Sequence, residues 1–83
     1  MAFELVFDKK AVRELNGLEQ ETKRRIFSKL RQAKEEPKLF FERLHGRQDY
    51  KLRVGDYRVI ADLDFGKKQI LVTKAGHRRN AYD

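Results

Sequence analysis

The run Tyr50-Lys51-Leu52-Arg53-Val54-Gly55-Asp56-Tyr57-Arg58-Val59-Ile60 constrains this chain more than any other segment. Apolar and polar residues alternate on both sides of Gly55-Asp56, the pattern of two antiparallel strands joined by a two-residue loop. With that loop, Val54 pairs with Tyr57 and Arg53 stands opposite Arg58. Lys51 falls on the same face as Arg53, two residues away. Like charges placed directly opposite each other destabilise a sheet. A hairpin that carries this cost is expected to collect positive charge for a polyanion.

The rest of the chain supplies partners for that hairpin. Phe3, Leu5 and Phe7 alternate with Glu4 and Val6, a short opening strand. Asp8 is placed to cap the helix that follows, in which Ala11, Leu15 and Leu18 share a face and which Gly17 ends or interrupts. A second helix is expected from about Glu19 to Glu36, with Ile26, Phe27, Leu30 and Ala33 facing the core. Its acids (Glu19, Glu21) lead and its bases (Lys29, Arg31, Lys34) follow, which suits the helix dipole. Pro37 is expected to stop it, because the residue before a proline avoids helical geometry.

A connector then runs from Lys38 to Asp49, with Leu39, Phe40, Phe41 and Leu44 as expected anchors. After the hairpin, Asp64 to Lys68 reads as a turn. Gln69 to Ala75 reads as a central strand, because Ile70-Leu71-Val72 is continuously apolar. A polar tail closes the chain. The order β-α-α-β-β-β predicts an α+β fold, with two N-terminal helices packed on one face of a small antiparallel sheet. One domain is expected over residues 1–83. The opposite sheet face is then open, and it carries Lys51, Arg53 and Arg58.

Composition narrows the class. The apolar share of 40% supports a globular core even though charged residues are equally frequent. No cysteine is present, so the chain has neither a disulfide framework nor a thiolate metal site. The N-terminus lacks the basic, then apolar, build of a signal peptide, and no stretch reaches membrane-spanning length. A soluble protein of the cytoplasm is expected. The net charge of +7 calls for nucleic acid, an anionic membrane or an acidic protein as partner. Membrane binding is the weakest of these, for want of a basic helix with an aromatic-rich apolar face.

The hairpin motif Tyr50-x-x-Arg53-x-Gly55-x-Tyr57-Arg58, joined to Leu44-His45-Gly46 and the closing Gly76-His77-Arg78-Arg79-Asn80-Ala81-Tyr82, resembles the RelE/ParE superfamily of small toxins, in its RelE-like mRNA interferase branch. The resemblance covers essentially the whole chain. It implies a microbial-RNase-like fold and a ribosome-dependent endoribonuclease that cuts mRNA in the A site and inhibits translation. It also implies two partners: a cognate acidic, RelB-like antitoxin, and the 30S A site with its mRNA and rRNA. No cofactor is implied. Lys51 and Arg53 fall where the family has two basic residues on the first hairpin strand, and Arg58 on its arginine after the turn. Arg78, or alternatively Arg79, falls on the C-terminal arginine, and Tyr82 on the C-terminal tyrosine. Arg53 stands where the best-known RelE proteins carry lysine, so a lysine proton acceptor is missing at that position. Arg47, Lys74, His77 and Arg79 are further RNA-binding candidates on the same reading.

The chemistry of RNA cleavage by a 2′-hydroxyl asks for a base, for cations that stabilise charge developing on phosphorus, and for a proton to the 5′-oxygen. Arginine suits the second task, since its planar fork binds phosphate bidentately and stays charged. Arg58 is the first candidate and Arg78 the second. Lys51 becomes a candidate base where crowding by Arg53 and Arg58 depresses its pKa. Tyr82 is placed either to stack on a base or to donate a proton.

Plainer readings stand beside each of these. A basic hairpin face is more often a solvated or binding surface than an active site. Tyr50 and Tyr57 fall on the apolar phase. His45 and His77 read as solvated, Asp62 and Asp64 as charge balance, and Glu35-Glu36 as a helix end. No His, Asp or Glu spacing matches a metal site. Two other functions compete: a ParE-like toxin that acts on DNA gyrase without cutting RNA, and a basic RNA-binding module without catalysis.

Overall fold

The hairpin forms in the expected register, with Val54 paired to Tyr57 and Arg53 to Arg58. Gly55 alone of its two loop residues has positive φ, at 61°, which is the sign pattern of a type II′ turn. The computed structural model describes residues 2–44, 49–77 and 79. In chain order it contains β1 (Glu4–Phe7), α1 (Lys9–Asn16), α2 (Gln20–Ala33), α3 (Pro37–Phe40), β2 (Glu42–Arg43), β3 (Tyr50–Val54), β4 (Tyr57–Asp64) and β5 (Gln69–His77).

The α+β architecture holds, with helices against one sheet face. The strands run in the order β1-β5-β4-β3-β2. The apolar run Ile70-Leu71-Val72 lies in β5, flanked on both sides as its composition requires. One pairing differs from the expected antiparallel sheet: β1 lies parallel to β5, Leu5 beside Ile70 and Phe7 beside Val72, so the sheet is mixed. Alternation has the same period in either direction and cannot distinguish them. The Asp8 carboxylate accepts from the Lys10 N–H at 2.9 Å, capping α1 as expected. At the β4–β5 turn, Lys67 N–H donates to the Asp64 carboxylate at 2.9 Å.

The core lies between the helices and one face of the sheet. Ala11 and Leu15 of α1 and Ile26, Leu30 and Ala33 of α2 pack with Leu52, Val54, Val59, Ala61, Ile70, Val72 and Ala75. Each fully buried leucine or isoleucine contributes about 1.5–3 kcal/mol.

The connector departs from expectation. Helix α2 ends at Ala33, and Pro37 does not merely stop it but opens α3. Proline is favoured at a first helical turn because the N–H it lacks would have no helical partner there. Phe41 and Leu44 are buried anchors as expected, and Phe40 is half-buried. Leu39 is not an anchor: it is 74% exposed, turned outward by α3.

Candidate functional site

The sheet face away from the helices is built from alternate residues of three strands. Across one row, Lys51 of β3 pairs with Ile60 of β4, and Ile60 pairs with Lys74 of β5. Across the next row, Arg53 pairs with Arg58, and Arg58 pairs with Gly76. Directly opposed side chains share a face, with Cβ atoms roughly 5 Å apart. The two rows are separated by two residues along each strand, roughly 7 Å. Four cations therefore converge on one patch. Arg53 is exposed, and Lys51, Arg58 and Lys74 are half-buried. The Nη1 atom of Arg58 is shielded from solvent, so this guanidinium lies down into the patch.

Lys74 reaches this face through a β-bulge. Ala61 pairs with Val72 and Ile60 with Lys74, which leaves Thr73 as an extra residue in β5. The Thr73 hydroxyl donates to the Ile60 carbonyl at 3.3 Å and secures the irregularity. Were Thr73 paired to Ile60 in a regular ladder instead, Lys74 would fall opposite Val59 and point into the core. The bulge also turns Ala75 inward, where it is buried.

The face is polarised. Asp62 and Asp64 share it further along β4, and Glu4 continues the acidic end on β1, where Gln69 Nε2 donates to the Glu4 carboxylate at 3.2 Å. Glu42 of β2 flanks Lys51 on the outer side. The half of this face near the hairpin turn therefore carries the positive charge, and the other half the carboxylates.

Of the expected site residues, the fold brings Lys51, Arg53, Arg58 and Lys74 together. His77 is not among them. It pairs with Tyr57 on the helix-side face, where the two rings meet edge to face at 5.3 Å. The same bulge that turned Lys74 outward gives His77 the inward phase. Arg79 follows the end of β5, exposed, with its N–H donating to His77 Nδ1 at 3.2 Å. Arg47, Arg78 and Tyr82 lie outside the described residues.

Three features of the patch were missed by reading the sequence. Ile60 is fully buried yet sits on the cationic face, apart from the main core, between the stems of two lysines. Its signal was the apolar pair Val59-Ile60, which breaks strict alternation. Gly76 leaves the position opposite Arg58 without a side chain, and a Cβ there would meet nothing within 4 Å. Glu42 carried no signal, because its short strand has no periodicity to read. Among the described residues no group of His, Asp or Glu is placed to hold a metal ion, and no helix is long and apolar enough to cross a membrane.

The fold has known relatives. The model of the family described as ParE toxin of type II toxin-antitoxin system, parDE, matches residues 5–82. No curated protein sequence matches the chain. Several solved structures share its fold. The toxin–antitoxin complex RelBE2 of Mycobacterium tuberculosis gives a TM-score of 0.87 at 18% identity, covering 94% of this chain and 100% of that one. A mutant of the E. coli toxin RelE in the free state gives 0.84 at 25% identity, over 98% and 88%. The archaeal RelE–RelB complex of Pyrococcus horikoshii gives 0.79 at 28% identity, over 98% and 100%.

Proposed function

The chain belongs to the ParE toxin family of type II toxin–antitoxin systems, within the RelE/ParE superfamily, and on that premise we propose that it is a ribosome-dependent endoribonuclease that cuts mRNA in the A site. The observation that carries this reading is the convergence of Lys51, Arg53, Arg58 and Lys74 from three strands on one face. ParE-type action on a protein target does not require such a patch. A phosphodiester does.

In this mechanism the 2′-oxygen attacks the neighbouring phosphorus. The new O–P bond closes a 2′,3′-cyclic phosphate as the bond to the 5′-oxygen breaks. Arg58, with Arg53 directly opposite, binds the non-bridging oxygens and stabilises charge as it develops. Lys51 lies one row away and is the group assigned to take the 2′-hydroxyl proton, a role open only to its neutral amine, since an ammonium has no lone pair to accept with. Lys74 holds the flanking phosphate, and the bare position at Gly76 lets the strand approach Arg58. Arg78 is the second candidate for stabilising the charge on phosphorus, and Tyr82 either gives the proton to the leaving 5′-oxygen or stacks on a base. The groups are individually modest acid–base catalysts, which suits an enzyme whose substrate is oriented by the ribosome. Such a protein works in the cytoplasm.

Primer extension on mRNA translated by purified ribosomes tests the proposal. Cuts within the A-site codon are expected. Their absence with folded protein overturns it. The matching family model is that of ParE toxins, which favours a second reading, inhibition of DNA gyrase. Loss of supercoiling activity without RNA cuts would establish that reading instead.

The partner follows from charge and kinship. The M. tuberculosis and P. horikoshii relatives were solved as complexes with antitoxins. A net charge of +7 on so small a surface is matched by an acidic, RelB-like antitoxin. A small acidic open reading frame beside this gene is expected.

A further inference from the structure

A second concentration of positive charge lies where α2 passes the hairpin turn. A cleft of about 470 Å³ opens there. Its α2 wall is formed by Arg24, Arg25, Ser28, Lys29 and Gln32, and its opposite wall by residues 53–55 at the end of β3. Arg25, Ser28, Lys29 and Gln32 recur at spacings of three and four, so a single helix face presents them. β2 pairs only with Tyr50 and Lys51, which leaves the edge of β3 from Leu52 onward uncovered by that strand and the cleft open at its side.

The lining defines the ligand. Four of its side chains are cationic, two are neutral hydrogen-bonding groups, and none is a carboxylate. Arg24 and Arg25 are exposed. The Lys29 ammonium lies 5.3 Å from the centre of the Phe40 ring, which holds it at the cleft wall. Arg25 reaches the turn so closely that a Cβ on Gly55 would lie 3.4 Å from its Nη2. No aromatic residue lines the cleft, so bases have no platform for stacking. Val54 is the one apolar contributor, whereas a docked peptide helix needs an apolar groove. What remains is recognition of phosphate by guanidinium forks, which positions a nucleic acid without reading its sequence.

Arg53 belongs both to this cleft and to the cationic sheet face. We propose that the cleft binds the sugar–phosphate backbone of RNA, holding a stretch of phosphates that continues around the β3 edge from the candidate site. The identity of the polyanion rests on the RNA reading given above; the existence of an anion cleft does not. Its role is to add sequence-independent affinity and fix the approach of RNA to the sheet face.

The test is equilibrium binding of a labelled, unstructured RNA oligonucleotide to the full chain across a salt series. Each phosphate contact on a single strand contributes about 0.7 to the slope of log affinity against log salt. The double variant Arg24→Gln/Arg25→Gln leaves Lys29 on Phe40 and every sheet-face cation in place. Its slope is expected to fall by about 1.4, with unchanged thermal unfolding. Should the double variant fold poorly, Arg24→Gln alone is expected to lower the slope by about 0.7. An unchanged slope, or no RNA binding by the wild type at low salt, overturns the proposal. So does a variant that loses affinity for an acidic peptide while keeping it for RNA. If wild type makes no A-site cuts yet the slope falls as expected, the nuclease reading fails and the cleft stands. If A-site cuts appear and the slope does not move, the cleft fails alone.

Discussion

The backbone N–H of Ala75 donates to the Glu14 carboxylate of α1 at 2.9 Å. β1 pairs with β5 only as far as Val72, so the outer edge of β5 beyond it has no strand partner. Asp8 N–H closes the last strand position by donating to the Val72 carbonyl at 2.9 Å, and α1 then runs alongside the edge. Glu14 thus supplies an acceptor on the open edge of the strand that presents Lys74 and Gly76.

Glu14→Ala leaves a part-buried backbone donor without its acceptor. The expected cost is about 1–3 kcal/mol of stability. Urea unfolding measures it, and a midpoint equal to wild type would mean that water replaces the carboxylate without loss. Hydrogen exchange at Ala75 should accelerate selectively.

The bulge makes a sharper prediction. Deleting Thr73 removes the extra residue and restores a straight pairing between β4 and β5. Lys74 then follows Val72 directly, so it stays opposite Ile60 on the outer face and Ala75 stays inward. The loss is limited to the Thr73 hydroxyl bond to the Ile60 carbonyl and the local twist, about 0.5–1.5 kcal/mol. Cooperative unfolding by circular dichroism with a modestly lowered midpoint is the expected result. Loss of cooperative unfolding would show that the bulge does more than set the phase of Lys74.

Arg53 faces Arg58 directly, and replacing it should separate stability from function. Arg53→Thr removes like-charge opposition and places a good strand former on an exposed strand. The expected gain is a few tenths of a kcal/mol, since exposed pairs are well screened. RNA affinity should fall in the same variant, and the stabilisation should shrink at high salt. A variant that is less stable than wild type at low salt would mean that Arg53 makes a favourable contact that outweighs the repulsion.

Arg58 is the side chain most closely tied to the proposed chemistry. Arg58→Ala is expected to lower A-site cleavage by roughly 10²–10³, while the far-ultraviolet spectrum stays native. Single-turnover cleavage on saturating ribosomes measures the chemical step. Cleavage at the wild-type rate would remove Arg58 from the mechanism.

Much of this molecule was legible residue by residue. The Asp8 cap, the Val54–Tyr57 and Arg53–Arg58 pairs, the Asp64–Lys68 turn and the central place of Ile70-Leu71-Val72 each follow from signals within a few neighbours. The failures share a different cause. His77 is an RNA-binding candidate through the resemblance, yet Thr73 shifts everything after it by one phase and turns His77 to the helix side. Leu39 was counted as an anchor, yet Pro37 starts a helical turn that directs it outward. Ile60 is apolar on a face read as polar, and its burial depends on lysines from two other strands.

By itself the sequence determined which residues alternate within the hairpin, because side-chain direction along a strand depends only on the local backbone period. That was enough to put Lys51, Arg53 and Arg58 on one surface. Only the tertiary structure decided that Lys74 joins them, that β1 runs parallel to β5, and that α2 meets the hairpin turn to form a cationic cleft. Those outcomes depend on register and packing between segments distant in the chain. Their free energy comes from contacts that exist only once both partners are in place.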